Sequence, residues 1–493
     1  MKRILESVAG VFLAATICCT DSPPIVSGDE LRRAGPPPLV SGDELRRAGD
    51  WPMYGGHPDR NMVSSEKGLP LTWDAATKAN IKWIADLGTE TFGNPIVAGG
   101  RIFIGTNNGK PRDAVVKGPR CVLMCFSEAD GKFLWQAVHE KLPKETNEDE
   151  GDFGLYSTPC AVGDRIYYVS NRAELVCRAA QDGKPVWVLD MRKDLGVSAH
   201  RASASSPLVV GDLVFVVTGQ GRDFATRKVK NPKAPSFIAV DRASGKVAWQ
   251  DSSPGDRILT GQWGSPAYGV VEGQPQVAFP GGDGWLYSFE PATGKLLWKF
   301  NCKAHEKVAD DGKGEPTATT LVATPVFAGH RVLLVIGVPP GDGNDSDPGC
   351  FRAIDARKRG DVTGTAEVWR VEGKVLDAKE GVSASISTMT AHEDLVYATD
   401  LQGFLYCFEL ATGKCVWRHD LLASAWGSPV VADGKIYVRT ADGTVFVFKP
   451  GREDKLLAKS DKLPDIDNGT VVAANGVLYI AGKNKLYAIE AKK

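Results

Sequence analysis

The 493-residue chain predicts an all-β fold, an eight-bladed β-propeller of four-stranded antiparallel blades. Three observations predict it. A strand–turn–strand segment closing on Trp recurs in register along the chain. A second, hairpin-forming motif stands before each copy. One blade is left split between the two ends of the chain. A fixed repeat of this kind overrides other fold clues.

The first unit is typified by LYCFELATGKCVW, Leu405 to Trp417. LMCFSEADGKFLW ends at Trp135, LVCRAAQDGKPVW at Trp187, FIAVDRASGKVAW at Trp249 and LYSFEPATGKLLW at Trp298. The glycine four places before each Trp is Gly131, Gly183, Gly245, Gly294 or Gly413. Alternating apolar residues make a half-buried strand. The turn asks for a residue at positive φ, which Gly adopts without steric cost. Trp on the return strand offers a large flat surface to a neighbour. Trp369 ends a sixth copy with a longer turn, and VFVFKPGREDKLL is a seventh, with Leu457 expected in the Trp position.

The hairpin motif is GSPVVADGKIYV, Gly427 to Val438. It recurs from Gly93, Ser157, Ser205, Gly264 and Ala323, and in two copies without the proline from Ser387 and Gly469. These are eight inner hairpins. The eighth outer pair is divided. LYAIEAKK supplies one strand at the C-terminus, and NIKWIADLG, Asn80 to Gly88, supplies an orphan Trp strand near the other end. Pairing them closes the last blade and the ring, and removes two sheet edges.

The repeat resembles the pyrroloquinoline-quinone (PQQ) repeat, over about Asn80 to Lys493. That repeat builds eight-bladed propellers in quinoprotein alcohol dehydrogenases and in a non-catalytic set that includes BamB-type outer-membrane assembly factors. DWPMYGGHPDRNMVSSEKGLP, Asp50 to Pro70, also looks like the lead-in of secreted PQQ-repeat proteins of planctomycete type. The resemblance speaks to fold, because the repeat residues are structural.

Ahead of the propeller the chain divides further. Lys2 and Arg3 precede an apolar run from Val8 to Cys19, so residues 1–20 read as a signal peptide, too short to span a bilayer. Residues 21–50 read as a disordered spacer containing a duplication, PPIVSGDELRRAG followed by PPLVSGDELRRAG. Residues 51–79 form a lead segment, and the propeller occupies 80–493. Cys18 and Cys19 stand in a poor lipoprotein box, which leaves lipid anchoring open. Export to the periplasm or another extracytoplasmic space is the expectation.

Composition narrows the partners. A formal charge of −1 argues against nucleic acid. Eight cysteines remain after the signal, too few for a disulfide framework in a chain of this length. Cys125, Cys177 and Cys407 share a small-residue position with Ala239 and Ser288, and so read as packing. Counting back from the turn puts Cys407 near Arg418. Cys302 and Cys350 are the pair best placed for a disulfide.

The resemblance to quinoproteins implies PQQ with Ca²⁺ at the axis, over an aromatic floor, with a carboxylate to take the substrate proton. In that family adjacent cysteines form a ceiling; here the one adjacent pair is Cys18–Cys19, inside the signal. The residues before the inner hairpins suggest an axial ring of Phe92, Tyr156, Ser203, Trp263, Thr320, Ser385, Trp426 and Asp467. Trp263, Trp426, Gln262 and Arg201 are the candidates to hold a flat ligand there, with His200 and Asn468 nearby. Asp465 and Asp467, both on one blade, are the carboxylates nearest to a Ca²⁺ position, and they make a sparse set. The alternative is that the two tryptophans simply plug a narrow channel. There is no CxxCH, the seven histidines show no metal spacing, and GDGNDSDPG (Gly341 to Gly349) lacks the closing Glu of a calcium loop. The expected function is a non-catalytic extracytoplasmic scaffold binding a protein or small ligand at the rim or axis, with no cofactor. A PQQ-dependent alcohol or sugar dehydrogenase is the alternative.

Overall fold

The structure, a computed structural model, describes residues 48–142, 154–200, 205–223, 226–303, 321–337, 349–373, 381–460, 462–463 and 469–492. The signal peptide and nearly all of the spacer lie outside them, as do Ser203, Thr320, Arg201, Asp465, Asp467 and Asn468.

Eight antiparallel four-stranded sheets follow one another along the chain. Blade 1 is Ile96–Ala98, Arg101–Asn107, Arg120–Ser127 and Phe133–Glu140. Blades 2 to 7 begin at Cys160–Val162, Leu208–Val210, Ala267–Val271, Val326–Ala328, Thr390–His392 and Val430–Ala432. Blade 8 takes Val472–Ala474, Val477–Ala481 and Lys485–Glu490 from the C-terminus and Ile81–Asp86 as its outer strand, with Trp83 opposite Ala488. The ring is therefore closed by both ends of the propeller sequence. The hydrophobic core is divided among the seams between blades: Ile96, Phe103 and Leu123 of blade 1, for example, pack with Ala161, Ile166 and Tyr168 of blade 2.

The Trp and Gly of the repeat act on each other across the seams. Each turn glycine sits at positive φ, 70° at Gly131 and Gly413. A Cβ there would also strike the preceding blade's indole, Trp83 at 2.6 Å from Gly131 and Trp369 at 2.7 Å from Gly413. The indole N–H then donates to a carbonyl of that same turn: Trp83 to Glu128 at 3.0 Å, Trp135 to Ala180 at 3.2 Å, Trp369 to Leu410 at 2.9 Å, Trp417 to Gly451 at 2.9 Å. Blade 4 departs from this because the turn of blade 5 is lengthened. Gly360–Asp361 of that turn adds a fifth, parallel strand beside Leu296–Asn301. Trp298 is covered completely, and its N–H turns to Gln276 Oε1 at 2.7 Å within its own blade.

Two register expectations are corrected. A β-bulge beside the turn shifts the pairing by one, so Cys407 faces Trp417 rather than Arg418. In blade 7 the residue opposite the small-residue position is Ala458; Leu457 falls at the bulge and is 39% exposed. That blade has no indole to dock, and its turn is one residue longer.

Candidate axial binding site

The innermost strands of a propeller leave one edge of backbone groups facing the axis, and those groups need partners. The lead segment supplies them. Trp51 exchanges two 2.9 Å hydrogen bonds with Val97 of blade 1, and Pro52 O accepts from Ala161 N of blade 2 at 2.8 Å. Pro58 O takes Tyr268 N of blade 4 at 2.8 Å, Asp59 O takes Phe327 N of blade 5 at 3.0 Å, and Met62 O takes Val431 N of blade 7 at 2.9 Å. The Asn61 amide bonds both Ala391 N and Ala391 O of blade 6 at 2.9 Å, and Ser64 Oγ donates to Ala473 O of blade 8 at 3.1 Å. Blade 3 is reached by Arg60. Its guanidinium, fully buried, donates to Pro266 O at 2.7 Å, Tyr54 O at 2.8 Å, and Ser206 O and Pro207 O at 3.3 Å. Burial lowers its pKa from the usual value to about 10, with Cys160, Tyr54 and Asp59 pulling the other way. Gly55 and Gly56, both at positive φ, make the turn that lets this segment lie against itself: Cβ atoms there would meet Arg60 and the Trp51 ring at 2.8 Å. The segment touches all eight blades and closes the axis from the end at which the inner hairpins turn.

At the other end runs a circle of hydrogen bonds through the second residue of the hairpin motif. Asn94 N donates to Thr158 Oγ1, Thr158 N to Ser206 Oγ, Ser206 N to Ser265 Oγ and Ser265 N to Thr324 Oγ1, at 2.9–3.2 Å. Thr388 N donates to Ser428 Oγ, Ser428 N to Thr470 Oγ1 and Thr470 N back to Asn94 Oδ1, at 2.8–3.1 Å. The Ser or Thr of the motif is thus an inter-blade acceptor.

Two residues before each member of that circle lies the rim of the open face. Among the described residues the rim is Phe92, Tyr156, Trp263, Val322, Ile386 and Trp426, all half-buried. Phe92 and Tyr156 stack with centroids 4.9 Å apart, and His200 stands edge-on to Trp263 at 5.8 Å. The expected ring is therefore corrected in blade 6, while Thr320, the residue expected in blade 5, lies outside the described residues. Ser385 is buried and gives its hydroxyl to Thr399 O at 2.6 Å; Ile386 takes the rim position. The serines at 383, 385 and 387 alternate with other residues, and alternation disguises a shift of one place. Val322 and Ile386 could have been found by counting back from the motif's Ser or Thr.

Of the other candidates, Gln262 is 2% exposed and its amide is spent: Nε2 donates to Gln220 O at 2.8 Å and Ser236 Oγ at 3.2 Å, and Oε1 accepts from Gly282 N at 3.2 Å. His200 holds Arg222 O through Nδ1 at 2.7 Å. Tyr54 of the lead segment, which carried no signal in the repeat, rises to the circle, with its hydroxyl 2.9 Å from Thr388 Oγ1 and its ring 5.9 Å from the Arg60 guanidinium. Among the described residues the result is a shallow cup, apolar at the rim and closed below by Tyr54 and Arg60. Crevices of about 400 and 380 Å³ lie elsewhere, at the C-terminal strand of blade 8 and in the seam of blades 1 and 2.

Of the groups a quinone cofactor would use, Arg201, Asp465 and Asp467 lie outside the described residues. The described rim offers no carboxylate, Gln262 is already committed, and among the described residues no three His, Cys, Asp or Glu side chains gather to hold a cation. None of the eight described cysteines, Cys302 and Cys350 included, is in a disulfide.

Away from the axis, one polar cluster breaks the repeat. Arg178 occupies a position filled by Phe126, Val240, Phe289, Ile354, Phe408, Phe448 and Ile489 in the other blades. It donates to the Tyr168 hydroxyl at 2.9 Å, which lies 2.8 Å from His139 Nε2. His139 Nδ1 is 3.5 Å from Glu174, which also accepts from Ser170 Oγ at 2.9 Å and Arg172 Nε at 3.2 Å. Burial alone would raise the Glu174 pKa; the hydrogen bonds of His139 and Ser170 and the charges of His139 and Arg172 outweigh it and hold the carboxyl at about 2.

The chain can now be set beside known proteins. It is 20% identical over 371 residues to the outer membrane protein assembly factor BamB of Shewanella oneidensis, covering 74% of this chain and 76% of that one. The crystal structure of BamB from Moraxella catarrhalis matches with a TM-score of 0.52 at 14% identity, over 83% of this chain and 97% of that one. The quinohemoprotein alcohol dehydrogenase from Comamonas testosteroni matches with a TM-score of 0.61 at 13% identity, over 95% and 83%. At such identities the structural likenesses establish the propeller and leave the activity open. A family profile goes further, because it matches residues 119–338 and 352–451, well over half of the chain. With the repeat, the eight blades and that match together, the chain belongs to the PQQ-repeat family described as outer membrane protein assembly factor BamB.

Proposed function

We propose that this protein is a non-catalytic extracytoplasmic scaffold that binds a polypeptide through the cup on its open face. The observation that carries the reading is the rim: Phe92, Tyr156, Trp263, Val322, Ile386 and Trp426 are half-buried apolar side chains gathered on one face. Aromatic residues in such a setting are the usual anchors of protein interfaces. The family relationship supports protein binding, since its members are described as assembly factors. Export rests on the N-terminal sequence and on those relatives.

The test titrates purified protein, by intrinsic tryptophan fluorescence and calorimetry, with an extended uncharged peptide of alternating aromatic residues, and separately with PQQ plus Ca²⁺. Saturable peptide binding lost in Trp263→Ala and Trp426→Ala supports the scaffold. Stoichiometric PQQ uptake with dye reduction by primary alcohols or sugars, abolished by Asp467→Ala or Trp263→Ala, would replace it with the dehydrogenase. No binding of either removes the cup as a binding surface.

A further inference from the structure

In blades 2 and 7 the basic residue after the inner-hairpin turn is neutralised by an acid of that turn. Arg165 pairs with Asp164 at 2.5 Å, and Lys435 pairs with Asp433 at 2.6 Å. In blade 1 the turn is Gly99–Gly100, both at positive φ, and it supplies no carboxylate. Arg101 there is half-buried. Its guanidinium makes one long hydrogen bond, Nη1 to Gly99 O at 3.4 Å, and its Nε has no hydrogen-bond partner among the described residues.

The seam beside it is underfilled. In three other seams a Tyr of the second strand sends its hydroxyl to the outer turn of the next blade. Tyr479 reaches Glu128 Oε1 at 3.2 Å, Tyr167 reaches Arg242 O at 3.5 Å, and the Tyr397 hydroxyl accepts from Gly451 N at 2.9 Å. Blade 1 has Phe103 in that place, without a hydroxyl. The turn residue of blade 2 is Ala180, where other blades carry Glu128, Arg242, Pro291 or Leu410. What remains between blades 1 and 2 is the crevice of about 380 Å³, walled by Phe103, Ala161 and Ala180, with Arg101 in its lining. Ordinary small-ligand sites occupy roughly 300–1,000 Å³. Two carboxylates also line it, Asp50 and Asp164. Asp50 is buried and committed to Gly99 N at 3.2 Å and Asn475 Nδ2 at 3.3 Å. The Asp164 side chain is 79% exposed and so stands at the mouth.

We propose that this crevice binds a small zwitterion, a free α-amino acid with an apolar side chain. Arg101 takes the carboxylate, because a guanidinium without an acid partner offers the charge and the forked donors that a carboxylate matches. Asp164 faces the ammonium at the mouth, and the side chain lies against Phe103 and the two alanines. A plain anion would meet two carboxylates, and a plain cation would meet Arg101. The crevice shares no residue with the cup, so the inference holds whether or not the cup takes a polypeptide.

Calorimetry and saturation-transfer NMR on the full chain, with L-leucine and L-phenylalanine as probes, test it. At least one should bind saturably. Losing a hydrogen bond to a charged group corresponds to about tenfold or more in affinity, so Arg101→Met should weaken binding by that factor. L-phenylalaninamide and N-acetyl-L-phenylalanine, which lack the carboxylate and the ammonium, should lose as much. Ala180→Leu, which gives blade 2 the turn residue of blade 6, should fill the crevice and abolish binding while the protein melts with the parent. The aromatic peptide that probes the cup should not displace the amino acid. No saturable binding of either amino acid, binding unchanged in Ala180→Leu, an amide or acetyl derivative that binds equally well, or displacement by the peptide overturns the proposal.

Discussion

Arg60 gives the sharpest test of how the lead segment holds the ring. Its guanidinium is fully buried and bonded to four carbonyls contributed by blade 3, the residue before blade 4's inner strand and the lead itself. Arg60→Met keeps the volume and removes every donor. The two short bonds are charge-assisted and count for about 1.5–3 kcal/mol each, while those at 3.3 Å add less. Relief of the buried charge offsets part of the loss. A net destabilisation of about 3–4 kcal/mol remains, as for breaking a buried polar network. At about 2 °C per kcal/mol, the low end for large domains, the unfolding midpoint should fall by about 6–8 °C. Scanning calorimetry at one fixed scan rate provides the assay, because unfolding of a chain this long need not be reversible. Arg60→Lys should recover less than half of the loss, since one ammonium cannot reach four separated carbonyls. A Met variant melting within about 1 °C of the parent would show that the lead lies passively on the axis.

Deleting 485–493 should abolish soluble folding, whereas deleting 21–47 should leave the melting midpoint in place, because the first removes a strand of blade 8; equal midpoints would dissolve the shared blade. Cys407→Ala should be nearly neutral, since Ala239 fills that place in blade 3, while Trp417→Ala should cost about 3–5 kcal/mol by chemical denaturation; equal effects would show the register to be wrong. Native protein at pH 8 should be alkylated at Cys415, the one exposed cysteine among those described, with the buried seven reacting after denaturation, as mass spectrometry can count. Glu174 should contribute stability above the unfolded carboxylate range, near pH 4.5, and lose it as pH falls toward its folded pKa of about 2. The stability gap between parent and Glu174→Gln should therefore narrow from pH 5 to pH 2.5, and a gap that widens would reverse the assignment.

The fold was legible because its determinants are local and repeated. Gly131, Gly183, Gly245, Gly294 and Gly413 serve both a turn conformation and an indole's approach, so their spacing cannot drift. The split blade was legible because an orphan Trp strand at 80–88 had no other place to go. The site was harder. Trp263 and Trp426 stood out because they lie outside the repeat's Trp positions. Val322 and Ile386 did not, since an aliphatic residue before a strand has no distinctive chemistry. Tyr54 and Arg60 were invisible for another reason. Their partners are backbone carbonyls and a threonine hydroxyl contributed by blades 146 to 334 residues away, and no spacing rule connects them. Gln262 misled because a polar residue beside a ligand-like tryptophan looks available until its three partners are seen.

The circle of hydroxyls has a consequence for how such a molecule is assembled from parts. At seven of the eight seams one blade hands an N–H forward to an oxygen of the next, always in the same rotational sense. Within the circle the coupling is therefore the same at each of those seams, and the circle itself does not record which blade belongs beside which. Duplicating or losing a whole unit would leave every surviving joint chemically intact. Asn94 is the one described member whose acceptor is an amide oxygen, and it sits at the junction where the last blade returns to the first. The count of eight must then be enforced outside the circle, by the lead segment's contacts with every blade and by the wedge of packed side chains in each seam. Changes in blade number in such rings should accordingly arise through seam residues, with the Ser or Thr of the motif carried along unaltered.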